Sequence, residues 1–236
     1  LSGLVDPIML ERMQRVVPKL RAYHNHTVRG LENIPLEGPA LLVINHSLAT
    51  YDGVLLASVI YEAQGRIGGA LGDKLIFKIP GLGPAARRMG IRPGTAQDGR
   101  SMLEAGHLVF VAPGGMREAL RPSEERYRVR WSKRQGFIRL ALKSQVPIIP
   151  IGCPAADDLY TVYENRFTKA AYKRFKLPLP VIRGVGFSLK PRPVTLTHHV
   201  GEPIVPPVMD PDRFVEQVDA LHTRAVDAMS ALLQRS

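Results

Sequence analysis

Three short runs carry an apolar residue or proline at every position: Ala40-Leu41-Leu42-Val43-Ile44, Leu108-Val109-Phe110-Val111-Ala112 and Val146-Pro147-Ile148-Ile149-Pro150-Ile151. A strand with one wet face alternates polar and apolar residues. A strand that is apolar throughout must be covered on both faces. Between the runs lie segments with helical spacing: Gly53 to Gln64, residues 95–105, and Gln135 to Ser144. A vaguer strand–helix pair occupies residues 67–90, and a further strand residues 194–200. The last segment, Asp212 to Gln234, places Phe214, Val218, Leu221, Ala225, Met229 and Leu232 on one stripe of a helix. The expected fold is α/β, a central mostly parallel sheet with helices on both faces.

The first 29 residues read differently. Ile8, Met9, Met13, Val16, Val17, Leu20 and Tyr23 share a broad helical face with Arg12, Arg15 and Lys19 off it, and Pro18 is expected to kink the helix. This amphipathic segment suits either a membrane interface or a cover for the core. Residues 30–236 then form one domain, without repeats or low-complexity linkers. The chain starts at Leu1 rather than Met, so native residues upstream are expected. No run approaches about 18 apolar residues, so no helix of this sequence is expected to span a bilayer.

Cys153 is the sole cysteine, which excludes an intrachain disulfide framework and a cysteine-rich zinc site, and it reads as structural. His24/His26 and His198/His199 are the histidine pairs open to a metal. Neither has carboxylates or cysteines nearby in sequence, so no metal is expected. The formal charge of +11 points to phosphates, whether of nucleic acid, a membrane surface or a soluble ligand.

Chemistry-bearing residues gather where two apolar strands end. After the first comes Asn45-His46-Ser47-Leu48-Ala49-Thr50-Tyr51-Asp52-Gly53. His46 leaves the carboxyl end of a buried strand, where α/β proteins tend to build sites. Asp52 begins the next helix. Folded back, its carboxylate would hold the imidazole Nδ1–H and leave Nε2 to take a proton from a hydroxyl. The same residues also suit a buried loop histidine beside an ordinary helix cap. After the second strand comes Pro113-Gly114-Gly115-Met116-Arg117-Glu118. Gly114 and Gly115 allow backbone N–H groups close to an anion, Arg117 could pair with phosphate, and Glu118 could anchor Arg117 or orient the histidine. A strand-ending turn with a solvated ion pair reads equally from these residues alone.

Taken together, Asn45-His46 followed by Asp52, then Ala112-Pro113-Gly114-Gly115-Met116-Arg117-Glu118-Ala119, resemble the glycerolipid acyltransferase superfamily. Gly90-Ile91-Arg92-Pro93, Val146-Pro147-Ile148-Ile149-Pro150 and Val200-Gly201-Glu202-Pro203-Ile204 look like its further blocks, in order, over roughly residues 30–235. Five residues rather than four separate His46 from Asp52, and Pro-Gly-Gly-Met-Arg-Glu stands where Glu-Gly-Thr-Arg is common. Both departures are similar to the branch containing diacylglycerol acyltransferase 2.

The resemblance implies an acyl-CoA-dependent transferase without a resident cofactor. His46 would be the base, Asp52 its support, and the Gly114–Gly115 turn a source of oxyanion donors. Arg92 and Arg117 would receive a phosphate, with Glu118 beside them. The donor would be acyl-CoA or an acyl carrier protein, and the acceptor a lysophospholipid or a mono- or diacylglycerol. Cations cluster in residues 117–143 and 164–192, the second group interleaved with Phe167, Tyr172, Phe175 and Leu177. Both suit an anionic membrane surface, so a peripheral or monotopic place on the cytoplasmic face is expected. A non-catalytic anionic lipid-binding protein is the nearer rival. A basic nucleic-acid-binding protein is the more distant one, since no recognition motif for nucleic acid is visible.

Overall fold

The computed structural model describes residues 3–46, 51–119, 121–163, 181–186 and 188–235, with backbone alone at Met116, Arg117 and Val181. In chain order the strands are β1 (Thr27–Arg29), β2 (Ala40–Ile44), β3 (Gly69–Gly72), β4 (Ile91–Pro93), β5 (Leu108–Val111), β6 (Ile148–Gly152), β7 (Thr161–Tyr163), β8 (Val181–Arg183) and β9 (Thr197–Val200). The helices are α1 (Pro7–Tyr23), α2 (Asp52–Gln64), α3 (Leu82–Arg88), α4 (Ala96–Glu104), α5 (Gly115–Ala119), α6 (Gly136–Ser144) and α7 (Phe214–Leu233). Seven strands form one sheet in the order β1-β9-β6-β2-β5-β3-β4, and β7 and β8 pair separately. Every pairing in the large sheet is parallel except β6 with β9.

The apolar strands are buried as their composition requires. Ala40, Leu42 and Ile44 of β2 turn to one face, where they meet Leu56 and Ile60 of α2 together with Leu108, Phe110, Ile149 and Ile151. Leu41 and Val43 turn to the other, against α4, α6 and α7 through Met102, Leu103, Ile138, Leu142, Val218, Leu221 and Met229. The period-two alternation of the strand thus splits one apolar run between two cores. Each such side chain contributes about 1.5–3 kcal/mol by leaving water. The expected stripe on α7 is the buried one, with Val218, Leu221, Ala225, Met229 and Leu232 inside.

At the amino end, Asp6 caps α1 by accepting from the N–H groups of Ile8 (3.0 Å) and Met9 (3.1 Å). The helix continues through Pro18, where a kink was expected. Pro18 is exposed, so the carbonyl it leaves without a donor can be met by water. Val17 packs with Leu55, Leu159 and Leu196, whereas Ile8 and Val16 stay exposed. The division expected after residue 29 falls at the end of β1. Because β1 pairs in register with β9 (Val28 opposite His198), residues 27–29 belong with the sheet rather than with the helical segment.

Candidate active site

β2 delivers His46 to the carboxyl edge of the sheet, and Asn45 fixes where it arrives. The Asn45 side chain mimics a peptide group. It accepts from the Cys153 N–H (2.8 Å) and donates to the Cys153 carbonyl (3.2 Å), extending the β2–β6 pairing one residue past the strand. The next backbone N–H, that of His46, donates to Oε2 of Glu118 (3.2 Å). Glu118 is 1% exposed. Its Oε1 accepts from the Arg130 N–H (3.1 Å), and the Arg121 guanidinium lies 3.4 Å away, itself paired with the buried Asp157. Burial pushes the carboxyls of Glu118 and Asp157 up, while the shared Arg121 pulls both down. Of the two roles open to Glu118 from sequence, orienting the histidine is the one its contacts serve. It is enclosed by protein and does not face a substrate.

The glycine turn is shaped around the same carboxylate. A Cβ on Gly114 would stand 2.3 Å from the Glu118 Cβ, and Gly115 has φ +52° with Arg134 Nη1 where its Cβ would go. Arg134 donates through Nη1 to the carbonyls of Pro113 (3.1 Å) and Gly114 (2.5 Å). The Gly115 N–H donates to the Ala112 carbonyl (3.1 Å), so it is spent inside the turn rather than offered as an oxyanion donor. Among the described side chains the positive group at this turn is Arg134, which in the sequence is one of many cations. Arg117 falls on α5, with its side chain outside the described residues.

His46, the turn and Arg134 line a cavity of about 1580 Å³. Its walls are mostly apolar: Met13 and Val17 of α1, Val54 of α2, Leu71 of β3, Phe110 of β5 and Phe137 of α6. Small-molecule pockets usually measure about 300–1,000 Å³, so this one has room for a long aliphatic ligand. Arg92 does not belong to it. Its Nη1 donates to the carbonyls of Arg87 (2.9 Å) and Ile91 (3.3 Å), where it satisfies the end of α3.

Asp52 opens α2 and is 2% exposed, with Oδ2 3.5 Å from His198 Nε2. Residues 47–50, which join it to His46, lie outside the described residues. Tyr51 lines the cavity, and its hydroxyl donates to His24 Nε2, because His24 Nδ1–H is already given to the Val194 carbonyl (3.0 Å). The histidine pairs considered for a metal are thus engaged otherwise: His24 with Tyr51, and His26 with His198 (2.8 Å). Among the described residues, Asp52, Cys153 and His198 form the one group whose potential donor atoms lie within 4.8 Å of each other. Three donors match the ligand number of an open zinc site rather than that of a closed one, and burial raises the pKa of the Cys153 thiol.

Several cations of the basic face expected over residues 117–143 have partners. Arg121 is buried, Arg126 pairs with Asp158, Arg130 with Glu125, and Arg139 and Lys143 lie over the Phe214 ring. Of the second basic segment, residues 164–180, with Phe167, Tyr172, Phe175 and Leu177, lie outside the described residues.

Comparison with known proteins agrees with this geometry. A family model described as Acyltransferase matches residues 25–154, and one described as Diacylglycerol acyltransferase matches residues 95–236. A Bos taurus protein named "DGAT1/2-independent enzyme synthesizing storage lipids" is 32% identical over 214 residues, covering 90% of this chain and 60% of its own length. Its Homo sapiens counterpart is 31% identical over 226 residues, covering 90% of this chain and 67% of its own. An uncharacterized Mycobacterium tuberculosis protein is 31% identical over 187 residues, 75% of this chain and 51% of that one. The crystal structure of the 1-acyl-sn-glycerophosphate acyltransferase PlsC from Thermotoga maritima superposes with a TM-score of 0.60 at 17% identity, covering 96% of this chain and 80% of that one.

Two outcomes are expected. In Glu118→Gln a single acceptor oxygen must serve two N–H groups, so chemical denaturation should show a loss of about 1–3 kcal/mol. Burial lowers the His26 pKa from 6.5 to about 3. The unfolded chain therefore binds this proton first, and the stability His26 contributes is full above pH 6.5 and lost as pH falls towards 3. His26→Gln should flatten that acid slope by about 1.4 kcal/mol per pH unit across the window.

Proposed function

The chain belongs to the acyltransferase family, and on that premise we propose that it moves a fatty acyl group from acyl-CoA to a hydroxyl of a glycerolipid at a membrane surface. The observation that carries this reading is His46 on the wall of a large apolar cavity at the carboxyl edge of the sheet. A carrier of lipid needs the cavity but has no use for a histidine there whose backbone is tied down by a buried carboxylate.

The chemistry needs few groups. His46 takes the proton of the acceptor hydroxyl as its oxygen attacks the thioester carbonyl, and Asp52 stabilises the imidazolium. Charge on the carbonyl oxygen is met by the Arg134 guanidinium and the backbone near Gly114. The C–S bond then breaks, the ester remains with the acceptor, and the departing thiolate recovers the proton from His46. No acyl-enzyme is formed. For the acceptor, a neutral mono- or diacylglycerol is favoured over a lysophospholipid, because the cavity walls are mostly apolar and the bovine and human relatives bear names of storage-lipid synthesis.

No helix among the described residues is long and apolar enough to cross a membrane. The segment between β3 and β4 offers another mode of attachment. Leu75, Ile79 and Leu82 are 47%, 52% and 46% exposed, with Lys74, Lys78, Arg87 and Arg88 exposed around them. Lys74 and Ile76 of the same segment line the cavity. An apolar ridge ringed by cations at the rim of a lipid-sized cavity suits an anionic bilayer, from which substrate could enter sideways.

With labelled palmitoyl-CoA and liposomes carrying monoacylglycerol, diacylglycerol and lysophosphatidate in competition, product should form on the neutral glycerides. His46→Ala should lower turnover about 100-fold or more. Undiminished product from His46→Ala would sink the mechanism, and lysophosphatidate as the preferred acceptor would reverse the acceptor reading. Ile79→Asp should weaken sedimentation with anionic vesicles about tenfold, the loss expected for one interfacial aliphatic side chain. Unchanged binding would remove the ridge from the docking surface.

A further inference from the structure

Behind Asp52 stand two histidines that the proposed chemistry does not use. His198 sits on β9, opposite Val28 of β1, and His26 immediately precedes β1. Both are buried. His198 Nε2 lies 3.5 Å from Asp52 Oδ2, and His198 Nδ1 lies 2.8 Å from His26 Nε2. Between two neutral imidazoles so short a contact holds one proton, and electrostatics decides where it sits. A proton on His198 Nδ1 would turn a bare Nε2 lone pair towards the carboxylate. A proton on His26 Nε2 lets His198 present Nε2–H to Asp52 and leaves His26 Nδ1 as a bare lone pair. His26 Nδ1 is the buried ring nitrogen that has no hydrogen-bond partner. A bare lone pair there costs less than a stranded N–H would.

We propose that His198 and His26 are positioning residues for acyl transfer, a hydrogen-bonded pair that holds Asp52 ionised and fixes its orientation towards His46. The pair answers a specific difficulty. A carboxylate only 2% exposed is costly to keep charged unless donors surround it, and the amino end of α2 and His198 Nε2 both lie against it. An N–H donor aimed at Oδ2 stabilises the charged form. His26 is needed because it fixes the tautomer of His198, and burial in turn keeps His26 neutral. The other titratable and charged groups acting on the cluster are Tyr51 and Cys153 beside Asp52, and Arg21 and His24 beside His26. Burial keeps both of the first two protonated, and the Tyr51 hydroxyl is already given to His24.

The inference rests on the acyltransferase reading, and two measurements separate them. The first needs no activity: nitrogen-15 NMR of histidine-labelled protein should find His198 and His26 both as Nε2–H tautomers at neutral pH. A proton on His198 Nδ1, or about one equivalent of zinc in the purified protein, would overturn the pair as described. The second is kinetic. His198→Phe should lower kcat about tenfold or more at unchanged KM for palmitoyl-CoA. It should also move the acidic limb of kcat/KM to higher pH, since the His46–Asp52 unit then gains its proton sooner. His198→Gln, which keeps an N–H near the position of Nε2, should restore both. A folded His198→Phe protein with the wild-type pH profile, or a His198→Gln protein as impaired as His198→Phe, refutes the role. If the wild type transfers no acyl group, the acyltransferase reading fails and the role falls with it, while the tautomers still decide whether the pair itself is correctly described.

Discussion

The buried carboxylate of Glu118 ties together parts of the chain that no strand pairing joins. It receives the backbone of His46 from the end of β2 and that of Arg130 from the segment after α5, with the Arg121 guanidinium beside it. Gly114 has to be glycine because this carboxylate lies over it. A buried charge of this kind is costly by itself and tolerable only when hydrogen bonds surround it. The arrangement therefore forms as a unit: withdrawing any donor leaves the charge poorly paired, and the position of His46 depends on all of them.

The sheet brings the other half of the site from far along the chain. Five strands run one way, while β9 and its parallel neighbour β1 run the other, against β6. That reversal sets His198 beside a histidine from the start of the chain and beneath a carboxylate from the first helix after β2. One face of the edge becomes a ligand-sized, mostly apolar cavity, and the other a buried cluster of imidazole, carboxyl and thiol groups.

The strands and helices were legible because their signal is local. Full apolarity gave β2, β5 and β6, and the stripe from Val218 to Leu232 gave α7. His46 and Asp52 were legible as polar interruptions at a strand end. What was hidden is contact across long separations. Nothing around Arg92 shows that its guanidinium folds back on Arg87 and Ile91. Nothing around Arg134 distinguishes it from neighbouring cations that find carboxylates or rings instead. His26 and His198 are 172 residues apart in sequence and meet only because β1 and β9 pair. The partners of the basic run after Glu118 were hidden for a similar reason: Arg121 and Arg126 meet Asp157 and Asp158, which arrive from beyond β6.

The Asn45 amide clasps the Cys153 peptide group, and Asp52 is held on its own helix beside His198. His46 and Asp52 are thus each moored to the scaffold by separate attachments on separate elements. The number of residues between a histidine and an aspartate so held is a weak guide to how the two side chains stand to each other.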